Sequence, residues 1–209
     1  RSDDALFYNE PRFVHHLDAP FRERLTSLYQ QKLPSCAVVL DLMSSWVSHL
    51  PDDVIYDEVI GHGLNLDELN ANSRLDRNWV QNLNKDQHLP LKDLSVDATL
   101  IVAGWQYLQQ PEAIAAELLR ITRPMGQVIV AFSNRMFFTK APQVWTDGDD
   151  GDRGGVGALF LTPARIAPPR ARVARIRKDP KRSVCSSRCR RVAASRGCFA
   201  VATPPPSPA

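Results

Sequence analysis

The chain has 209 residues, of which 44% are hydrophobic and 23% are charged. This composition is typical of a globular protein with a sizeable core, and it excludes fibrous and low-complexity classes. No apolar run approaches the roughly 20 residues that a membrane-spanning helix needs. The net charge of +3 conceals an asymmetry, because residues 1–150 carry 13 Lys/Arg and 21 Asp/Glu, whereas residues 151–209 carry 13 and 2. The two parts therefore require separate interpretation.

The first elements are an arm and a helix. Residues 3–18 are rich in aromatic and apolar side chains, which predicts an ordered arm that packs on the domain. Residues 20–33 have an apolar face with helical spacing, and Pro34 follows them, so this segment predicts an amphipathic helix.

The next segment predicts the first strand of a sheet. Residues 38–42 are this strand: a short apolar run ends in the carboxylate of Asp41, and its apolar residues do not alternate with polar ones, as expected for a parallel strand that is covered on both faces. The following residues predict a turn and a brief helix that stops at Pro51. In doubly wound sheets, ligands bind beyond the carboxyl ends of the strands, so Asp41 is predicted to lie at a ligand site.

Further strands and helices alternate along the chain. Asn65 has the character of a helix N-cap, and Glu68 stands three residues later in the position of a capping-box partner. The alternation predicts a Rossmann-like, doubly wound, mostly parallel sheet between two layers of helices. The predicted strands are residues 54–60, 78–83, 98–103 and 127–132, and the predicted helices are residues 66–72 and 111–122.

The regular pattern stops after Trp145. We therefore predict a domain over residues 1–146, comprising an arm and helix (1–35) and a βα core (36–146). Residues 147–209 are predicted to be a linker and a basic, Pro- and Arg-rich tail that is disordered. Within the tail, only residues 157–162 are predicted to form a turn or strand. A native basic ending and a reading-frame or gene-model artefact both account for this change in composition.

Several short motifs occur in a characteristic order. They are Val-Leu-Asp-Leu at 39–42, Leu-Pro at 89–90, Asp-x-Ser-x-Asp-Ala at 93–98, Gln-Tyr-Leu at 106–108, Arg-x-x-Arg-Pro-x-Gly at 120–126 and Ser-Asn-Arg-Met-Phe at 133–137. Together they resemble the class I S-adenosylmethionine-dependent methyltransferases, and within them the type 11 group. That family finishes its sheet with further strands, which the last third of this chain does not match.

The resemblance implies S-adenosylmethionine as the cofactor. It implies that Asp41, with Ser44 and Ser45, holds the amino-acid end, although the Gly-rich turn of the family is replaced by Met43-Ser44-Ser45-Trp46-Val47. The acid that normally follows the second strand is replaced by Gly63, so Asn65 is the predicted ribose contact, with Glu68 also within reach. The predicted adenine contacts are Asn82 and Leu83.

The same resemblance places substrate-side candidates after the fourth and fifth strands. They are Trp105, Gln106, Tyr107, Asn134 and Arg135. No catalytic residue is singled out, because methyl transfer depends mainly on positioning and desolvation. No metal site is predicted, since the three cysteines at 185, 189 and 198 lack a fourth ligand nearby.

The predicted function is methyl transfer from S-adenosylmethionine to a small-molecule acceptor. Two alternatives remain at this stage: a catalytically inactive protein with the same fold, and a protein that binds nucleic acid or an anionic surface weakly through its basic tail. The expected location is the cytoplasm by default. Because the chain begins at Arg1 rather than Met, a targeting segment for an organelle is also compatible with the sequence.

Overall fold

The computed structural model describes residues 4–132 and 157–161. Their strands form one six-stranded sheet in the order β3-β2-β1-β4-β5-β6. The strands are β1 (Val38–Leu42), β2 (Glu58–Gly63), β3 (Arg77–Val80), β4 (Val96–Val102), β5 (Thr122–Phe132) and β6 (Gly157–Leu161). The helices are α1 (Asp4–Phe7), α2 (Ala19–Lys32), α3 (Leu66–Ala71) and α4 (Pro111–Ile121), with a 3-10 helix at Trp105–Tyr107.

The first five strands are parallel to one another, which confirms the predicted Rossmann-like class. The chain runs outward from β1 to β3 and then returns to β4 on the other side of β1. The order of strands therefore reverses between β1 and β4, and this reversal opens a crevice in such sheets.

The sixth strand is antiparallel to β5, with Ile129 opposite Phe160. It comes from the segment that the sequence predicts to be mostly disordered, at the one stretch predicted to form a turn or strand. The sheet therefore has one antiparallel edge strand. The other residues of the predicted linker and tail lie outside the described part of the chain.

Two apolar layers cover the faces of the sheet. Leu40 and Leu42 of β1 belong to a buried cluster that includes the inner face of α4. Val39, between them, belongs to the opposite cluster, in which Tyr29 of α2 is fully buried. Successive side chains of a strand point to opposite faces, so an unbroken apolar strand fills both layers, as its sequence predicts.

The segment between β1 and β2 differs from the prediction of a short helix. Residues 43–57 contain no helix and follow an irregular path. Side chains from the α3–β3 region hold its backbone: Asn72 donates from Nδ2 to the Ser45 carbonyl at 3.0 Å, and Arg74 donates to the Pro51 carbonyl at 3.0 Å. Backbone groups that a helix would pair internally are thus paired with side chains.

The strand β5 begins five residues earlier than predicted. Thr122 pairs with Val96 and Gln127 pairs with Ala98, so five residues of β5 span two residues of β4. Residues 123–126 form an irregularity in the ladder, and Met125 has a φ of 69° there. The motif that suggested only a helix end is therefore also the start of a strand. Among the described residues, no helix has the length and hydropathy needed to cross a membrane.

Candidate functional site

A cavity of about 330 Å³ lies at the carboxyl ends of β1, β2, β3 and β4. Pockets for small ligands start at about this size. Eight of the predicted site residues line it: Asp41, Ser44, Ser45, Asn65, Asn82, Leu83, Gln106 and Tyr107. The cavity lies where the strand order reverses, so the topology brings together residues that are up to 66 positions apart.

Asp41 is a buried carboxylate in the wall of this cavity, with 3% of its surface exposed. The Ser44 hydroxyl donates to its Oδ2 at 2.7 Å. Burial raises the pKa of Asp41 to about 6, although hydrogen bonds from Ser48 and Ser44 partly oppose that rise. No described cation forms an ion pair with this carboxylate. Its ionised form is therefore solvated mainly by hydroxyl groups.

The turn after β1 takes a glycine-like path without glycine. Met43 has a φ of 59°, in the left-handed region that glycine normally occupies. Its side chain packs against the core and against Gly104, where an added Cβ would lie 2.8 Å from the Met43 Cβ. Gly104, just after the end of β4, thus leaves the space that the Met43 side chain occupies.

His62 joins this turn to the segment after β3. Its Nδ1 accepts the Met43 backbone N–H at 3.1 Å, so the proton is on Nε2, which donates to the Gln81 carbonyl at 2.9 Å. Burial lowers the pKa of His62 to about 4, so the ring is neutral at pH 7. A protonated ring would place an N–H against the Met43 N–H, and the neutral ring is therefore part of the cavity's framework.

We expect acid to weaken this framework. The folded-state pKa of His62 lies below the unfolded value of 6.5, so its contribution to stability is complete above pH 6.5 and is lost as the pH falls towards 4. In a His62→Gln variant the side chain at position 62 does not titrate. Relative to this variant, the wild type should lose about 3 kcal/mol of unfolding free energy between pH 7 and pH 4. Urea denaturation at several pH values measures this difference. Equal pH profiles for wild type and His62→Gln would contradict the assignment.

Glu68 is a second buried carboxylate in the cavity wall, with 9% of its surface exposed. It does not act as the predicted capping-box partner. Its Oε1 accepts the Arg12 backbone N–H at 2.7 Å, and its Oε2 accepts the Ser45 hydroxyl in a short hydrogen bond. A carboxylate has about four acceptor positions, so two remain for a ligand.

Asn65 is committed to protein contacts. Its Oδ1 accepts the N–H groups of Asp67 and Glu68 as the N-cap of α3, and its Nδ2 donates to the carbonyls of Tyr8 and Asn9. Both ends of the carboxamide are therefore used. Although Asn65 lines the cavity, Glu68 is the better placed acceptor for ligand hydroxyl groups.

The leading arm forms one wall of the cavity. Residues 8–17 contribute Tyr8, Arg12 and several apolar and histidine side chains to the lining. Trp46 donates from Nε1 to the Val14 carbonyl at 3.3 Å, and its ring lies 4.7 Å from that of His15. The aromatic arm therefore packs on the domain, as predicted, and it does so over the ligand cavity.

The segment after β3 supplies a mixed apolar and amide wall. Leu83 is buried in the core and also lines the cavity. Asn82 accepts the Asn84 N–H at 2.9 Å, and Asn84 donates to Asp4 Oδ2 at 3.0 Å. The hydrogen bond between Asn84 and Asp4 therefore holds the first described residues against this wall.

The substrate-side candidates separate into three groups. Gln106 and Tyr107 line the cavity, and Gln106 is 2% exposed. Trp105 does not line it, because its ring packs against the core cluster that contains α4. Asn134 and Arg135 lie outside the described residues.

The sequence did not single out His62 or Arg12, and it placed Glu68 as a capping residue and as the alternative to Asn65 for the ribose. The signal for His62 was its position between Gly61 and Gly63 at the end of a strand. Arg12 acts through its backbone N–H, which no side-chain pattern reveals. Among the described residues, no group of three or more His, Cys, Asp or Glu side chains is arranged to hold a metal ion.

The parallel sheet and the cavity at its reversal point define a Rossmann-like ligand-binding domain. The family described as "Methyltransferase domain" matches residues 48–130. The resemblance that the sequence motifs carry is thereby confirmed for this part of the chain. The match begins just after the glycine-free turn, which is the part of the first motif that departs from the family pattern.

Solved structures with this fold include three with low sequence identity. The complex of the Haloferax volcanii Trm112 methyltransferase activator with a candidate methyltransferase is 19% identical, with a TM-score of 0.45 and 54% of this chain and 53% of that chain covered. The [4+2]-cyclase SpnF is 18% identical, with a TM-score of 0.45 and coverages of 57% and 51%. The PH0226 protein from Pyrococcus horikoshii OT3 is 17% identical, with a TM-score of 0.48 and coverages of 64% and 68%.

The chain spans about half the length of the first two of these structures. At such identities the likeness concerns the fold alone. Among curated proteins, no sequence matches this chain.

Proposed function

We propose that this protein is an S-adenosylmethionine-dependent methyltransferase that acts on an uncharged small molecule. One observation carries the proposal: Asp41 is a buried carboxylate in the cavity wall, and no described cation pairs with it. An unpaired buried charge is costly. A ligand that brings a positive charge to Asp41 relieves this cost, and S-adenosylmethionine carries an ammonium group and a sulfonium.

The other residues of the cavity fit the rest of this cofactor. Asp41 and the Ser44–Ser45 turn hold the amino-acid end. Glu68 accepts from the ribose hydroxyls, in place of the predicted Asn65. Leu83 provides an apolar wall for the adenine ring, beside Asn82. The absence of a helix after β1 means that hydroxyl and carboxylate groups, rather than a helix N-terminus, form this part of the site.

When bound, S-adenosylmethionine supplies a methyl group on a positively charged sulfur. The chain positions the bound groups, because the arm and the strand ends line the cavity. Burial also lowers the pKa of His49 to about 4, together with the charges of Arg22 and His15. The His49 imidazole is therefore neutral at pH 7.

Calorimetric titration with S-adenosylhomocysteine, the product form of the cofactor, tests the proposal. We expect the full chain to bind it with a dissociation constant in the micromolar range or tighter. Glu68→Gln should weaken binding about tenfold, because a carboxamide oxygen accepts ribose hydroxyls less strongly than a carboxylate. Asp67→Asn changes an exposed neighbour on the same helix and should leave binding unchanged.

A folded protein that gives no heat at millimolar ligand would contradict the proposal. That result would instead support a catalytically inactive protein with a methyltransferase fold. The glycine-free turn at Met43 is the feature that favours this second candidate. Binding of nucleic acid or an anionic surface through residues 151–209 stays a prediction from composition, and salt-dependent binding that disappears when these residues are deleted would support it.

A further inference from the structure

Gln106 is a buried carboxamide without hydrogen bonds. It is 2% exposed, and neither its Oε1 nor its Nε2 has a partner among the described residues. It lies on the 3-10 helix after β4 and lines the cavity. Burying two unpaired polar atoms is unfavourable, and native structures rarely do so without a functional reason.

A second glutamine in the same cavity shows the contrast. Gln81 accepts the Trp79 indole N–H at 2.9 Å, and its Nε2 donates to the carbonyls of Asp86 and His88. Its carboxamide is fully used within the protein. Gln106 has the same chemistry and also lines the cavity, but neither of its buried polar atoms has a hydrogen-bond partner among the described residues.

The charges around the cavity restrict what that ligand is. Of the described residues that line it, Arg12 is the only arginine or lysine. Its guanidinium donates to the Phe7 carbonyl at 3.0 Å and lies 4.1 Å from the Phe7 ring centroid. Burial keeps the ring of His62 neutral at pH 7. Burial also lowers the pKa values of His16 and His49. The described lining residues therefore offer little positive charge to an anionic acceptor.

The position of Gln106 separates it from the proposed cofactor contacts. Asp41 is on β1 and Glu68 follows β2, whereas Gln106 follows β4, on the other side of the reversal in strand order. A ligand that spans the reversal point has one end near each group. The carboxamide therefore follows a different strand end from the acidic groups assigned to the cofactor.

We infer that Gln106 binds the methyl acceptor through two hydrogen bonds. The acceptor would be an uncharged molecule with a hydrogen-bond donor next to a hydrogen-bond acceptor on its ring or chain. Lactams and primary amides have such an edge, which forms two hydrogen bonds to a carboxamide. This inference rests on the proposed function, because it assigns the other end of the cavity to the cofactor. It narrows the acceptor to uncharged molecules with an amide-like edge.

The probe for this inference is 2-pyridone, a lactam with one donor beside one acceptor. Its affinity is measured by NMR titration of the full chain, with and without saturating S-adenosylhomocysteine. N-Methyl-2-pyridone, which lacks the donor, and benzoate, which is anionic, are the comparison ligands. We expect 2-pyridone to bind at least tenfold more tightly than either.

The matched variants are Gln106→Met, which keeps the length but removes both polar atoms, and Gln109→Met, at an exposed glutamine three residues later. Gln106→Met should lose at least tenfold in affinity for 2-pyridone, melt at or above the temperature of wild type, and bind S-adenosylhomocysteine within about twofold of wild type. Gln109→Met should match wild type throughout. If Gln106→Met fails to fold, Gln106→Leu, which also removes both polar atoms, should show the same loss.

Three results would overturn the inference. They are unchanged 2-pyridone binding in Gln106→Met, benzoate binding as tight as that of 2-pyridone, and a parallel loss of S-adenosylhomocysteine affinity, which would assign the carboxamide to the cofactor. The proposed function fails separately. Gln106-dependent binding of 2-pyridone by a protein that does not bind S-adenosylhomocysteine would leave the Gln106 site standing and remove the methyltransferase assignment.

Discussion

Replacing Asp41 with asparagine should abolish cofactor binding without destabilising the fold. The carboxylate is the proposed partner of the ligand's ammonium group, and the neutral variant leaves that charge buried and unpaired. Loss of such a pair typically costs 3–5 kcal/mol, or roughly 100-fold or more in affinity. Calorimetry with S-adenosylhomocysteine at pH 8 measures the loss, and Asp52→Asn, at an exposed position in the loop that follows β1, is the control.

The stability of Asp41→Asn relative to wild type should also depend on pH, with a defined sign. The pKa of Asp41 rises from 3.8 to about 6 on folding, so this group contributes most below pH 4, and its contribution declines as the pH rises to about 6. Ionisation at pH 8 thus costs the fold about 3 kcal/mol. The Asp41→Asn variant avoids this cost, although its unpaired amide carries a smaller penalty of its own. The free energy of unfolding of the variant, relative to wild type, should therefore increase between pH 4 and pH 8.

Chemical denaturation of both proteins at pH 4 and pH 8 gives this difference. In wild type, cofactor affinity should also fall about tenfold for each pH unit below 6, because binding requires the ionised carboxylate. A variant that binds S-adenosylhomocysteine normally, or whose stability parallels that of wild type at every pH, would refute the role of Asp41.

An acid at position 63, where the family that the motifs resemble usually has one, should damage this protein. A Cβ on Gly63 would lie 2.6 Å from the carbonyl oxygen of Ser44 and 3.2 Å from Cδ2 of Leu69. The Ser44 backbone cannot easily retreat, since its N–H donates to the His62 carbonyl at 2.6 Å. Gly63→Asp therefore combines overpacking with a buried charge and should cost about 4 kcal/mol or more.

The Gly63→Ala variant isolates the steric part and should cost about 1–3 kcal/mol in urea denaturation. Asn70→Asp introduces the same acid at an exposed position of α3 and should be close to neutral. A Gly63→Asp protein that is as stable as wild type and binds S-adenosylhomocysteine more tightly would show that position 63 is open to the ribose. That outcome would remove the ribose role proposed for Glu68.

The regular elements could be predicted because their local pattern agrees with their place in the fold. The first strand has the predicted bounds, since an unbroken apolar run suits a strand buried on both faces. The helix at Pro111–Ile121 differs from its prediction by one residue, because its proline and apolar spacing are local signals. The second strand was misplaced: it runs over Glu58–Gly63, where pairing with β1 outweighs the apolar residues at 54 and 55.

The irregular parts of the site could not be predicted from local pattern. The turn after Asp41 has positive φ values at Met43 and His49, which a helix does not allow. Distant side chains, notably the side chain of His62, stabilise these conformations. Asn65 and Glu68 were recognised as cap residues, but only the structure shows that the arm also binds them. Contacts with residues more than 50 positions away decided their roles.

The arm's contacts also determine when the cavity is completed during folding. The hydrogen bonds from Arg12 to Glu68 and from Asn84 to Asp4 join residues 56 and 80 positions apart. Closing chain segments of this length carries an entropic cost. The pairing of Val39 with Ala98 between β1 and β4 spans 59 positions, but fully buried side chains such as Leu40 and Leu100 offset its cost, whereas Phe13 and Val14 of the arm stay more than half exposed. We therefore expect the sheet to condense first and the arm to dock last. Refolding followed by a binding probe should then lag behind refolding followed by circular dichroism.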